Sequence, residues 1–224
     1  MWPFSKKSNE PAKPTVTTKK SNKADLKSFF SAIRKHENDT VRALLKQEPS
    51  WVNARASAPP KKDDGQSPLQ IAFKTGNFEI ASLLIDSGAD VNFMEETAIN
   101  EWRTPVLHDA LRAAAFSAHD GKIVAGDNFK QAIALVRKLL SKGANPNAVD
   151  SHGNTPLIRV LSDCRQRLVA EPGFPNQVSN ERLNRELREL VQALIASGAN
   201  LEAGNTSFRS AREFANEPAL AHLI

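Results

Sequence analysis

The sequence is poor in the residues that carry much of protein chemistry. Among its 224 residues it has one cysteine, Cys164, and no tyrosine. A single cysteine excludes an internal disulfide, so nothing in the composition points to an oxidising compartment. The chain lacks the run of about 18 apolar residues that a membrane-spanning helix needs, and its N-terminus lacks the apolar core of a secretory signal. We therefore expect a cytoplasmic protein.

Sequence patterns for catalysis and for metal or cofactor binding are missing as well. The five histidines have no partner at metal-ligand spacing, and a cysteine pair is absent, so we predict no metal site. Glycine-rich phosphate-binding motifs and the nucleophile elbow do not occur. Cys164 is expected to be a buried free thiol. We predict no catalytic or cofactor-binding residue and expect the protein not to be an enzyme.

The positive charge lies at one end of the chain. The net charge is +5, and residues 1–24 account for all of it with six lysines and one glutamate. The other 200 residues carry 24 basic and 24 acidic side chains, so we expect no nucleic-acid partner for the folded part. Residues 1–24 are rich in Lys, Pro, Ser and Thr, which predicts a disordered basic leader. Alternatives for it are a weak membrane-surface tether through Trp2, Phe4 and the lysines, and nucleic-acid contact.

An internal repeat dominates the rest of the sequence. Three segments resemble one another: SPLQIAF at 67–73, TPVLHDAL at 104–111 and TPLIRVL at 155–161. Each is followed by an amphipathic segment with a matching end: LLIDSGADVN at 83–92, LLSKGANPN at 139–147 and LIASGANLE at 194–202. Such recurrence at a spacing of tens of residues indicates a stacked repeat architecture.

Helix capping explains why these residues recur in each repeat. The hydroxyl residues are predicted N-caps, and the prolines after them suit the first helical position, where no N–H is needed: Ser67-Pro68, Thr104-Pro105 and Thr155-Pro156. The glycines near the other end suit a left-handed turn after a helix: Gly88, Gly143 and Gly198. The combination of a Ser/Thr-Pro-Leu start with a later LLxxGAxxN resembles the ankyrin repeat.

This resemblance implies an all-α ankyrin-repeat solenoid of about five repeats over residues 25–224. The first repeat, 28–53, is degenerate: Ser28 aligns with the N-cap position, and Pro49 replaces the turn glycine, so its second helix must end differently. SAREFA at 210–215 looks like the first helix of a truncated fifth repeat, capped by Ser210. The resemblance assigns His108 a structural bond to a neighbouring turn.

The third and fourth repeats carry insertions between their two helices. A loop is predicted at 119–128, with Asp127 as the N-cap of the following helix, and another at 170–177, before a helix over about 180–197. Because these repeats are adjacent, we expect the insertions to lie side by side at one edge. They either pack on each other and extend the core, or form a recognition lobe.

The connectors between repeats are the predicted binding elements. We call them the first finger (54–66), the second finger (93–103) and the third finger (148–155); the resemblance implies that a partner binds to such fingers and to the concave face. The candidate partner-binding residues are Lys61, Lys62, Asp63, Asp64, Glu95, Glu96, Trp102 and Arg103. Trp102 beside Arg103 is typical of a binding hot spot, and burial of Trp102 as core is the alternative. Ile71, Lys74 and Arg159 are the concave-face candidates.

The function predicted from these features is a non-enzymatic protein–protein interaction module. An inhibitor or immunity-type protein that blocks one enzyme is a more specific version of it. A membrane-surface adaptor, tethered by the basic leader, is the alternative from another class. The expected partner is a protein of unknown identity, and the expected state is a monomer.

Overall fold

The fold is an array of paired helices. The computed structural model describes residues 23–97, 99, 101–119, 127–168, 181–207 and 210–224. The α-helices within this part are α1 (Lys23–Arg34), α2 (Asn38–Gln47), α3 (Pro68–Thr75), α4 (Phe78–Asp86), α5 (Val106–Ser117), α6 (Asn128–Ser141), α7 (Pro156–Leu168), α8 (Glu181–Ala196) and α9 (Ala211–Ala215). Across these ranges there is no β-strand, only an isolated bridge between Met94 and Pro105. The predicted all-α class is confirmed, and no helix in the described ranges is long and apolar enough to cross a membrane.

Two rows of helices form the solenoid. The inner helices α1, α3, α5, α7 and α9 pack side by side, and the outer helices α2, α4, α6 and α8 pack in a second row behind them. Equivalent leucines fill the space between the rows and are fully buried, including Leu84, Leu139 and Leu194. Each repeat therefore buries its apolar residues between its own two helices and against the neighbouring repeats, as expected of a stacked array.

Most of the predicted caps are present, and the cap predicted at Thr104 is displaced. Ser67, Thr155 and Ser210 each accept a hydrogen bond from the backbone N–H three residues further on. The turn glycines have φ of 88°, 91° and 93°, which favours glycine. Thr104 was wrongly predicted as an N-cap: α5 begins at Val106, with Pro105 in the cap position. The extra residue Val106 moves the helix start one position along the chain.

The first repeat begins earlier than predicted. Helix α1 starts at Lys23, so Ser28 lies inside it and is not a cap. The prediction at Pro49 is confirmed, because α2 ends at Gln47 and Pro49–Asn53 forms a 3₁₀ turn in place of the glycine turn. Residues 1–22, which make up nearly all of the predicted leader, lie outside the described residues.

A ladder of asparagine side chains joins consecutive repeats behind the fingers. Asn92 donates to the carbonyl of Gly143 (2.9 Å), and its Oδ1 accepts from the N–H of Asn145 (2.8 Å). Asn53 and Asn147 make the same pair of bonds one repeat earlier and one later. These bonds satisfy the backbone groups of the glycine turns, which lie beyond the helical hydrogen-bond pattern.

The two insertions begin next to each other. The carboxylate of Glu186 on α8 accepts from the N–H of His119 (2.8 Å), and Arg167 donates to the carbonyl of Ala118 (2.8 Å). Asp127 caps α6, as predicted, and α8 falls within one residue of its predicted bounds at each end. The predicted loop at 170–177 and most of 119–128 lie outside the described residues.

Candidate functional site

The three fingers lie side by side and form one wall of a groove. The N–H of Glu96 in the second finger donates to the carbonyl of Gly65 in the first (3.1 Å), and the N–H of Ser151 in the third donates to the carbonyl of Arg103 (3.0 Å). Backbone bonds of this kind hold neighbouring fingers in register. The fingers therefore form a continuous surface above the inner helices.

The groove between the fingers and the inner helices has a volume of about 730 Å³. Its floor and its second wall come from α3, α5 and α7. The residues that line it are Lys62, Gln66, Lys74, Glu95, Ile99, Glu101, Trp102, Thr104, Asp109, Arg112 and Arg159. This is the concave face on which a partner was predicted to bind.

On the α3 side of the groove, one lysine lies over two buried carboxylates. The Nζ atom of Lys74 is 3.5 Å from Glu95 Oε2 and 3.7 Å from Asp109 Oδ1, and both carboxylates are almost completely buried. Burial raises the pKa of Asp109 from its usual 3.8 to about 6, and the Lys74 ammonium and a hydrogen bond from Gln70 only partly offset this effect. The ammonium therefore faces the groove while its counter-charges lie beneath it.

On the α7 side, two arginines share a third buried carboxylate. Arg112 Nη1 is 2.7 Å from Asp163 Oδ1, and Arg159 Nε is 3.9 Å from Asp163 Oδ2. Burial raises the pKa of Asp163, and the two guanidinium groups oppose that change. Cations at the surface and carboxylates in the floor thus recur along the groove.

Trp102 stands at the end of the second finger and is held by the neighbouring repeat. Its indole N–H donates to Asp150 Oδ2 (3.0 Å), the guanidinium of Arg159 lies 4.3 Å from its ring centre, and the His152 ring meets it edge-on. Burial alone would raise the pKa of Asp150, but hydrogen bonds from Asn154, Trp102 and the His152 N–H hold it below its usual value. The residue as a whole is still 40% exposed, so Trp102 is a fixed surface residue and not core.

A smaller hollow lies beside Trp102. It has a volume of about 290 Å³ and is lined by Trp102, His152, Asn154, Asn205, Thr206 and Ser207. Trp102 therefore forms a wall shared by this hollow and the main groove. An apolar side chain of a bound partner has a rigid aromatic surface to pack against at this point.

Two of the charged residues that were predicted to lie at the finger tips are buried. Asp63 is buried and forms an ion pair with Arg34 of α1, and Glu95 is buried beneath Lys74. The expectation that they face a partner was wrong, because both fingers fold back onto the inner helices. Asp64 is partly buried and accepts from the N–H of Ala58 (3.0 Å).

The other predicted finger residues are exposed. Lys61, Lys62, Trp102 and Arg103 lie at the surface, and exposed Glu96 forms an ion pair with Arg55. Of the concave-face candidates, Lys74 and Arg159 line the groove, whereas Ile71 is buried in the core. Whether the exposed residues contact a partner stays a prediction.

Arg112, Asp109 and Asp163 line or underlie the groove although the sequence did not predict them there. A comparison of repeats could have identified Arg112. When α5 is taken to begin at Val106, Arg112 is its seventh residue, just as Lys74 is the seventh residue of α3. The buried carboxylates are harder to identify, because Lys74, which pairs with Asp109, and Arg112, which pairs with Asp163, each lie about one repeat earlier in the chain.

One cluster in the described residues has the composition of a metal site. Single ligand atoms of His119, Asp127 and Glu186 lie within 4.8 Å of one another. Arg182 already places a guanidinium there, 2.8 Å from Glu186 and 3.8 Å from Asp127. A divalent cation would have to displace this positive charge, so we interpret the cluster as an ion-pair network between the insertions.

Cys164 and His108, whose side chains could in principle act as a nucleophile and as an acid–base group, are buried and have structural roles. Cys164 is buried, and burial together with the neighbouring Asp163 carboxylate raises the pKa of its thiol. The Nε2 atom of His108 bonds to the carbonyl of Ala148 (3.0 Å), and burial lowers the His108 pKa to about 4. His108 is thus a neutral bridge to the third finger, the role that the resemblance predicted.

Comparisons with known proteins agree with the repeat assignment. The family profile described as "Ankyrin repeats (3 copies)" matches residues 12–116. The zinc finger CCCH domain-containing protein 29 of Arabidopsis thaliana is 25% identical over 142 residues, an alignment that covers 63% of this chain. The chain spans only 20% of the length of that relative.

Proposed function

This chain is an ankyrin-repeat protein, and we propose that it binds a protein partner in the groove between its fingers and its inner helices, without catalysing a reaction. Ankyrin repeats are generally protein–protein interaction modules. The observation that carries the proposal for this chain is Trp102, a large aromatic side chain fixed at the edge of the groove and 40% exposed.

Trp102 has the properties of a binding hot spot. Tryptophan and arginine are enriched among the residues that dominate binding free energy, and here Arg159 stacks on the indole. The ring is held by contacts with the third finger and α7, so a partner meets it already ordered. Little side-chain entropy is then lost on association.

The test is the affinity of a partner for the Trp102→Ala variant. A protein retained by the immobilised full chain is identified, purified and titrated by calorimetry. We expect Trp102→Ala to weaken binding by about 2 kcal/mol, which is about 30-fold in Kd. Trp102→Phe keeps a ring beneath Arg159 and is expected to lose less affinity.

The matched control is Val149→Ala, which truncates an exposed apolar side chain of the third finger outside the groove. It should bind as the unchanged chain does. Thermal denaturation followed by circular dichroism establishes that each variant is folded. A folded Trp102→Ala variant with unchanged affinity would refute the proposed site.

The same partner distinguishes the more specific functions. If it is an enzyme that loses activity when titrated with this chain, the protein is an inhibitor. If binding also requires vesicles that contain phosphatidylserine, and is lost when residues 1–22 are removed, the protein is a membrane-surface adaptor.

A further inference from the structure

Two guanidinium groups are held next to each other on the α5 and α7 side of the groove. Arg112 belongs to α5 and Arg159 to α7, and the buried carboxylate of Asp163 lies between them, 2.7 Å from the first and 3.9 Å from the second. Both arginines line the groove. Adjacent repeats therefore place a pair of cations at one position.

Aromatic rings fix the orientation of both groups. Arg112 lies 4.7 Å from the ring centre of Phe116, and Arg159 lies 4.3 Å from that of Trp102. An arginine has five N–H donors, and the side chain of Arg112 is 46% exposed although it is paired with Asp163. Donors held in place by stacking and by a buried carboxylate are well suited to bind a carboxylate with little loss of entropy.

Lys74 extends this arrangement along the groove. Its side chain is 34% exposed, whereas Glu95 and Asp109 beneath it are buried. On the helix side of the groove a bound chain therefore meets N–H donors first, whereas on the finger side the exposed carboxylate of Glu101 accompanies the exposed ammonium of Lys62. An acidic segment gains charge-assisted hydrogen bonds there, and a basic segment is repelled.

We infer that the groove binds an extended acidic segment of the partner protein, whose carboxylates contact Lys74, Arg112 and Arg159 and whose apolar side chain packs on Trp102. This inference rests on the proposed function and specifies its ligand. Packed helices lie about 8–10 Å apart and an extended chain advances about 3.3 Å per residue. Acidic residues about three positions apart would thus reach cations on neighbouring inner helices.

A protein segment fits this groove better than a nucleic acid does. Beyond residue 24 the basic and acidic side chains are equal in number, and Lys74, Arg112 and Arg159 each lie over a buried carboxylate. Nucleic-acid affinity depends on many unneutralised cations that displace counterions from phosphates. The groove offers a few oriented donors beside an aromatic wall.

The experiment is a selection of displayed random peptides on the full chain, followed by fluorescence anisotropy with the enriched peptides. We expect enriched peptides to carry Asp or Glu about three residues apart, with an apolar residue nearby. Their affinity should fall at least about tenfold for Arg112→Gln and for Arg159→Gln. Arg137→Gln removes the same charge from an exposed ion pair with Glu189 on the outer helices and should leave affinity unchanged.

A second set of variants distinguishes a loss of peptide binding from a loss of folding. Arg112→Gln leaves the buried Asp163 with one cation, so Arg112→Gln/Asp163→Asn removes the charge and its counter-charge together. Arg112→Lys keeps the charge but loses the forked donor geometry, and we expect it to bind more weakly than the unchanged chain. Circular dichroism melts are recorded for each variant.

Several results would overturn the inference. The inference fails if the selection enriches neutral or basic peptides, or enriches none. It also fails if acidic peptides bind the folded arginine variants normally, or if single-stranded RNA binds more tightly than any peptide. None of these refutes the proposed function, which is decided by Trp102→Ala and a whole partner protein. If that variant also binds its partner normally, both proposals fail.

Discussion

Replacing Asp109 with asparagine should make this protein more stable at neutral pH. Asp109 is fully buried beneath Lys74, and its pKa is about 6 in the folded chain against an ordinary 3.8. Its ionised form is therefore disfavoured by folding. Between these two pKa values the folded chain holds a proton that the unfolded chain has released, so the free energy of unfolding decreases as pH rises through this window.

The size of the effect follows from the two pKa values. A difference of one pH unit corresponds to about 1.4 kcal/mol, so ionisation of Asp109 lowers the free energy of unfolding by about 3 kcal/mol between pH 4 and pH 6. An asparagine does not ionise, and its side-chain oxygen can still accept the hydrogen bond that Gln70 donates to Asp109 (3.0 Å). Asp109→Asn should match the unchanged chain near pH 4 and exceed its stability by up to about 3 kcal/mol at pH 7.

Urea denaturation followed by circular dichroism at a series of pH values measures this difference. Asp86→Asn is the control, because Asp86 is exposed in its ion pair with Lys138 and should change stability by less than about 0.5 kcal/mol at any pH. The reasoning is refuted if Asp109→Asn is less stable than the unchanged chain at pH 7 and its stability varies with pH in the same way.

Four further substitutions test the packing of the array, each measured by urea or thermal denaturation. Leu84→Ala truncates a fully buried leucine and should cost about 2–5 kcal/mol; a loss below about 0.5 kcal/mol would contradict its place in the core. Asn92→Ala removes two hydrogen bonds to the next repeat and should cost about 1–3 kcal/mol. Gly65 has a φ of 76°, and a methyl group added there overlaps the backbone of Glu96. Gly65→Ala should therefore lower the free energy of unfolding more than Gly88→Ala, where the space is open. Equal losses would show that the first and second fingers are not held against each other.

The parts of the fold that depend on short-range chemistry could be predicted from the sequence. A glycine after a helix predicts a left-handed turn because the residue itself has no Cβ, and Gly88 and Gly143 adopt that conformation. Asp127 was predicted as a cap from its place before an apolar helix, and it bonds within three residues of itself. These features need no knowledge of distant parts of the chain.

The groove could be predicted only in outline, because its contacts join residues one repeat apart. Asp163 pairs with Arg112 across 51 positions, and this contact depends on a helix start that Val106 displaces by one residue. Glu95 is buried because the second finger folds beneath Lys74, and nothing near Glu95 in the sequence indicates it. The sequence does not decide whether Trp102 is core or surface, because the bond that holds its ring is made to Asp150, 48 positions further along the chain.

The contact between the two insertions changes how the array should come apart. In a plain repeat array each unit can open at the end of the stack, because it is held by its neighbours alone. Here Glu186 of the fourth repeat accepts a hydrogen bond from the N–H of His119, two residues after α5 of the third repeat, and Arg167 donates to the carbonyl of Ala118. We expect these bonds to make the third and fourth repeats unfold as one cooperative unit. Amide hydrogen exchange should therefore be slow and uniform across α5 to α8 and faster in α1 and α2, so that the array frays from its N-terminal repeat.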